Sequence, residues 1–146
     1  MTSPDATASS RPLSPHLQVY KWGPHMLVSI LHRATGDGMA ILGALMLLWW
    51  LGAAASGAEA YANFVNIVWQ QSEGASLSVW NWFGRAVLIG LTWAFFQHSA
   101  SGLRHLLLDT GAGYELNTNR MWAMVVAAVP AVLTAALWIT ILYRGL

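Results

Sequence analysis

Polar and apolar positions in this chain segregate into long blocks and do not alternate. Residues 38–58, between Asp37 and Glu59, carry no charge. Nor do residues 86–103, between Arg85 and Arg104, or residues 121–143, between Arg120 and Arg144. Each block has the roughly 18–25 residues that a helix needs to cross about 30 Å of hydrocarbon. The pattern predicts an all-α integral membrane protein with three transmembrane helices, over 28–57, 82–108 and 120–144. The three helices are expected to form an up-down bundle. Pro130 inside the third block is tolerable, because membrane helices accept kinks that soluble ones avoid.

The segments between the blocks differ in character. Residues 1–10 are polar and read as a disordered tail, with neither a signal-peptide nor an Arg-rich transit pattern. Residues 11–27 contain three prolines in RPLSPHLQVYKWGPHM, which predicts irregular backbone on the inner surface. Residues 58–81 form the outer loop and 109–119 the inner one. Within the outer loop, Tyr61, Phe64, Val65, Val68 and Trp69 fall on one helical face, as in a short interfacial helix. Trp49, Trp50, Trp80, Trp82 and Trp138 gather near the outer boundary, where an aromatic belt would sit.

Composition agrees with lipid as solvent. Only 9% of residues are charged and 56% are hydrophobic, against about 25% charged in soluble domains. A net charge of +1 gives no basis for nucleic-acid binding. The absence of cysteine excludes disulfides, thiolate metal sites, iron–sulfur ligation and covalent c-type haem. Arg11, Lys21, Arg33, Arg104 and Arg120 lie on the side of the N-terminus, and only Arg85 and Arg144 on the other. That imbalance places the N-terminus in the cytoplasm, most simply at a bacterial inner membrane and less simply at a mitochondrial one.

Ionisable groups inside a span are costly and therefore candidates for function. HSASGLRHLLLD (98–109) ends the second block, and His98, Gly102, His105 and Asp109 share one helical face. His98 lies six residues before Arg104, about 9 Å deeper along the axis. Iron is a good partner for an imidazole at that depth. His98 and His105 are about 10 Å apart along the helix, whereas trans ligands of one iron stand about 4 Å apart. They cannot both be ligands, so the second ligand belongs to a partner subunit. SILHR (29–33) begins the first span at the same inner face. His32, Arg33, Arg104 and His105 are thus expected at one depth, where they suit haem propionates or a developing quinone anion. Ser29 and Arg33, at i and i+4, can address one ligand, with Gly36 one turn further. Gly102 would let a flat ligand or a helix approach.

The same residues admit plainer readings. A histidine in a span can be a helix-packing hydrogen-bond donor. Arg33 and Arg104 can be snorkelling anchors, and Asp109 can neutralise Arg104 or Arg120. On these terms the chain would be a cofactor-free structural membrane subunit.

RPLSPHLQVYK (11–21), SILHRATG (29–36) and HSASGLRHLLLD (98–109) decide between them by resemblance. In order, spacing and placement they resemble the large cytochrome b membrane-anchor subunit of succinate dehydrogenase, over about residues 11–144. Ser101, where relatives often have Asn, is the least typical position and is not expected to touch a proposed ligand. The resemblance implies that His98 is an axial ligand of haem b, opposite a histidine of a small membrane-anchor subunit that completes the bundle. It implies propionate contacts from His32, Arg33 and His105, and a ubiquinone pocket lined by Ser29 and Arg33. Gly102, Arg104 and Asp109 would support the cluster. Partners would be the iron–sulfur and flavoprotein subunits, which pass electrons from succinate to quinone. A fumarate reductase anchor running the reverse reaction is the alternative.

Overall fold

The computed structural model describes residues 20–70 and 77–144. The tail expected at 1–10 and most of the proline-rich segment lie outside the described residues. Every regular element among the described residues is a helix. Helix α1, Pro24–Ala55, runs 32 residues with one π-helical turn at Met39–Gly43. Helix α2, Ala58–Val68, is short. Helix α3, Val79–Asp109, and helix α4, Leu116–Arg144, have 31 and 29 residues.

Local chemistry fixes the boundaries. Pro24 takes the first turn of α1, where a missing N–H costs nothing, so the third proline starts a helix that was expected a turn later. Gly57, at φ 107°, breaks α1 from α2 in a conformation that favours glycine. Ser78 and Asn81 close a reciprocal capping box that starts α3. Gly111 and Gly113, at φ 84° and 79°, turn the chain between α3 and α4.

The long helices form an up-down bundle. His32 of α1 lies beside Ser101 of α3, and Gly43 beside Leu91, so the two run antiparallel. Arg104 of α3 meets Asn119 of α4, and Ala100 packs on Ala123 and Val126, so these also run antiparallel. At the end of the bundle expected to face inward, the inner end, Val28, Ala123 and Val126 form a small core in which alanines let the backbones close up. At the other end Ala53, Phe64 and Val68 pin α2 across α1 and α3. Of the outer-loop face expected to be apolar, Phe64 and Val68 are buried, whereas Tyr61 is exposed.

Polarity is arranged inside-out. Thr35, Asn81, Gln97, Ser101, Arg104 and Thr134 are buried, while Leu45, Leu48, Trp80, Leu103 and Ile139 are exposed. A chain in water would not leave such residues outside, so lipid or other subunits must cover them. Helices α1 and α4 are long and apolar enough to cross a membrane. Helix α3 matches them in length, about 46 Å at 1.5 Å per residue, but Gln97, His98, Ser99 and Ser101 interrupt its apolar run.

Candidate functional site

The inner half of the α1–α3 contact holds a cluster of imidazoles. The His32 ring stacks on His98 with centroids 4.0 Å apart and planes at 10°. His105, one helical repeat along α3, stands edge-on to His32 at 5.2 Å. Antiparallel packing makes this possible: His32 and His98 come from opposite strands of one helix pair at matching depth.

Hydrogen bonding sets the state of both stacked rings. His98 Nδ1 lies 3.0 Å from the carbonyl oxygen of His32. A carbonyl only accepts, so Nδ1 carries the hydrogen and Nε2 keeps its lone pair. The Thr35 hydroxyl donates to the Leu31 carbonyl at 2.6 Å, and its oxygen lies 3.5 Å from the same Nδ1. Ser101 Oγ donates to the Gln97 carbonyl at 2.7 Å, which leaves its lone pair to accept from His32 Nδ1, also at 2.7 Å. Both rings are therefore Nδ1–H tautomers with Nε2 free. A backbone carbonyl on Nδ1 and an unshared pair on Nε2 is the arrangement that metal-binding histidines use.

Two glycines flank the cluster in unequal ways. A Cβ on Gly36 would stand 2.9 Å from His98 Cε1, closer than side chains pack, so α1 offers a bare surface to that ring. A Cβ on Gly102 would find its nearest neighbour, His32 Cε1, at an ordinary 3.9 Å. Close approach at this point depends on Gly36 more than on Gly102.

Several sequence expectations are corrected here. Arg104 does not join the histidines at the inner face. Six residues after His98, its side chain leaves α3 on another face and is buried against α4, where its guanidinium donates to Asn119 Oδ1. Ser101, the least typical position, is the hydrogen-bond partner of His32, a proposed propionate contact and not a proposed ligand. Thr35, absent from the sequence reading, lies against His98. Its i, i+3 relation to His32 was visible, but only the packing of α1 on α3 brings it to the ring. Ser29 is half-buried, and Arg33 and Asp109 are exposed, with no hydrogen bond from their side chains to another described residue. No three histidine, aspartate or glutamate side chains among the described residues converge on a bare metal ion.

Residues 7–137 match the family of succinate dehydrogenase/fumarate reductase transmembrane subunits. The chain is 38% identical over 112 residues to the succinate dehydrogenase cytochrome b556 subunit of Paracoccus denitrificans, covering 77% of each. It is 31% identical over 133 residues to the protein of that name from Rickettsia felis, covering 90% of this chain and 93% of the relative. The mitochondrial succinate dehydrogenase cytochrome b560 subunit of Mus musculus is 36% identical over 124 residues, 84% of this chain and 66% of that one. The match spans all four helices apart from the last turns of α4. The chain belongs to the succinate dehydrogenase/fumarate reductase transmembrane subunit family, as a cytochrome b subunit of complex II.

Proposed function

We propose that this chain crosses the membrane three times, with its N-terminus cytoplasmic, and holds haem b through His98 beside a ubiquinone-reduction site. The free Nε2 of His98, with Nδ1–H anchored on the His32 carbonyl, is the observation that most supports this reading. The names of the relatives, cytochromes b of succinate dehydrogenase, supply the cofactor class. A histidine of the small membrane-anchor subunit, which also covers exposed apolar surface of the bundle, would supply the haem's other protein ligand. When bound, the haem supplies a one-electron carrier whose potential follows its axial ligands, burial and hydrogen bonding.

The chain's own residues hold and tune. Thr35 and the His32 carbonyl fix the His98 ring, and Gly36 leaves it room. His32, Arg33 and His105 would stand against the propionates at the inner rim, with the Arg33 guanidinium supplying positive charge. Ser29 and Arg33, half-buried and exposed on α1, line the quinone pocket. Ser29 Oγ donates to a quinone carbonyl, and the Arg33 guanidinium stabilises negative charge growing on that oxygen. Iron–sulfur and flavoprotein subunits on the cytoplasmic side bring the electrons from succinate. The bacterial inner membrane is the proposed location, with the charge distribution favouring a cytoplasmic N-terminus.

Substitution separates these roles in the purified complex. His98→Leu is expected to abolish the reduced haem b absorbance, and full haem content with an unchanged spectrum would remove the ligand assignment. Ser29→Ala and Arg33→Leu are expected to depress succinate:quinone activity at least tenfold while sparing succinate oxidation by an artificial acceptor. Equal loss of both activities would show that the change is not local to quinone.

A further inference from the structure

Arg104 has no role in the proposed haem and quinone site, and its environment is unusual. It is 8% exposed, its one hydrogen-bond partner among the described residues is the neutral amide of Asn119, and its Nε is buried without a partner. A desolvated guanidinium that lacks a counter-charge costs several kcal/mol, and a bare arginine is not kept in that state. The side chain lines a cleft of about 160 Å³ at the inner end of α3 and α4, with Leu107, Leu108, Gly113, Asn119 and Trp122. Asn119 also lines a second cleft, of about 460 Å³, together with Lys21, His25 and Arg120. No described residue lining either cleft is acidic.

We propose that the Arg104 cleft binds the phosphate of an anionic membrane lipid of the inner leaflet. Charge requires an anion, because the guanidinium has donors to spare and the adjoining cleft adds three basic side chains. The rest of the lining makes that anion an amphiphile: apart from Arg104 and Asn119 the cleft is walled by leucines, a tryptophan, Ala112 and Gly113. A small hydrated anion would gain nothing from those walls. The space suits a phosphate group, with the acyl chains left outside against Leu103, Leu106 and Leu107, all more than half exposed. Depth agrees, since Arg104 lies five residues before the end of α3, about 8 Å inside it. Trp122, 43% exposed, lines the same cleft, and tryptophan is the side chain that favours the headgroup level. The proposal stands apart from the haem and quinone assignments and is read by lipid retention, not by activity.

The test uses the whole complex, stripped of lipid by extended washing in dodecyl maltoside. Phosphatidylglycerol, phosphatidylcholine or inorganic phosphate is then added, and retained phosphorus and the melting temperature are measured. Phosphatidylglycerol is expected to be retained and to raise the melting temperature, and the other two are not. Arg104→Gln is expected to weaken retention about tenfold, the loss of one charge-assisted hydrogen bond. Asn119→Asp, nearly isosteric, puts a carboxylate on Arg104 from within the chain. Its complex is expected to stay folded and to lose the response to lipid. Retention by either variant equal to the unsubstituted complex would overturn the proposal. So would protection by inorganic phosphate equal to that by the lipid, or no response of the unsubstituted complex, which would point to a carboxylate from a partner subunit. If Arg104→Gln fails to assemble, Asn119→Asp decides.

Discussion

Two carboxamides are fully buried in α3, Asn81 near its start and Gln97 past its middle, and they live in opposite conditions. The Asn81 amide donates to the carbonyls of Asn66 and Ile67 at 2.6 and 3.2 Å. Its oxygen accepts from the Ser78 N–H and hydroxyl, both at 2.9 Å. Neither polar atom of the Gln97 amide has a partner among the described residues. The contrast extends to the two ends of the bundle. At the outer end polar groups, the unpartnered Trp138 Nε1 excepted, are spent on structure: Asn81 ties α2 to α3, and Arg85 donates to the Trp69 carbonyl while lying 4.7 Å from the centre of its ring. At the inner end they are left with capacity to spare, on His32 and His98 Nε2 and on Arg104 Nε. A buried polar group with all its bonds made stabilises a fold, and one with bonds to make awaits a ligand or costs stability.

The largest effects should come from the outer end. Asn81→Leu removes four hydrogen bonds and opens the capping box of α3 at once. A loss of about 3 kcal/mol is expected from bonds and cap together. Gly84→Ala attacks the same contact sterically, because its Cβ would overlap the Val68 carbonyl oxygen and lie 2.8 Å from the Val68 Cα. Backbone cannot yield as a side chain does, so α2 must move, at about 1–3 kcal/mol. Thermal unfolding of the complex in detergent measures both. A melting temperature within a degree of the unsubstituted complex for either variant would mean that α2 is not held as the geometry indicates.

At the inner end the effect should be on the cofactor more than on stability. Gly36→Ala puts a methyl 2.9 Å from His98 Cε1 and must tilt the ring or push α1 away. Weakened haem retention or a shifted reduced absorbance band is expected, with a melting temperature that changes little once haem loss is allowed for. Gly102→Ala meets only an ordinary contact with His32 and should leave the band in place. A shift on Gly102→Ala and none on Gly36→Ala would reverse the inferred packing and put the flat ligand against Gly102. Thr35→Val should act more weakly, since at the His98 ring it removes only a 3.5 Å contact, besides the hydroxyl's bonds to the Leu31 and His32 carbonyls, while the His32 carbonyl still holds Nδ1. A band shift of a few nanometres or none fits that role, and complete haem loss does not.

How much of this was legible in the sequence follows from the range of each signal. Charge-free blocks and periodicity are local, so the helices and the shared face of His98 and His105 could be read directly. The motifs around His32 and His98 carried the family. Which face of α3 turns towards α1 and which towards α4 is set by packing, and there depth alone misled. Arg104 and His105 are neighbours in sequence at one depth, yet one is buried against Asn119 and the other stands exposed beside His32. Ser101 and Thr35 were missed for the same reason, as small hydroxyl residues whose partners lie across a helix interface. Pro12, Pro15 and Pro24 together suggest one irregular segment, although a proline at a first helical turn leaves no bond unmade.

The smallest expected effect sharpens the comparison most. Gln97→Met keeps the length and flexibility of the side chain and removes two polar atoms that have no partner among the described residues. At Asn81 the loss of an amide orphans four groups, but at Gln97 it orphans none of the groups described. Desolvation of the native amide is then a standing cost, and its removal should leave stability within about 1 kcal/mol of the original or raise it. The melting temperature of the complex should accordingly stay level or rise by a few degrees, with the haem band unmoved because the Gln97 backbone carbonyl still receives Ser101. A loss as large as that of Asn81→Leu would mean that the Gln97 amide does bond something, either ordered water or a group of a partner subunit. The inner half of α3 would then be as fully committed as the outer half, and the division between a structural end and a ligand-binding end would not hold.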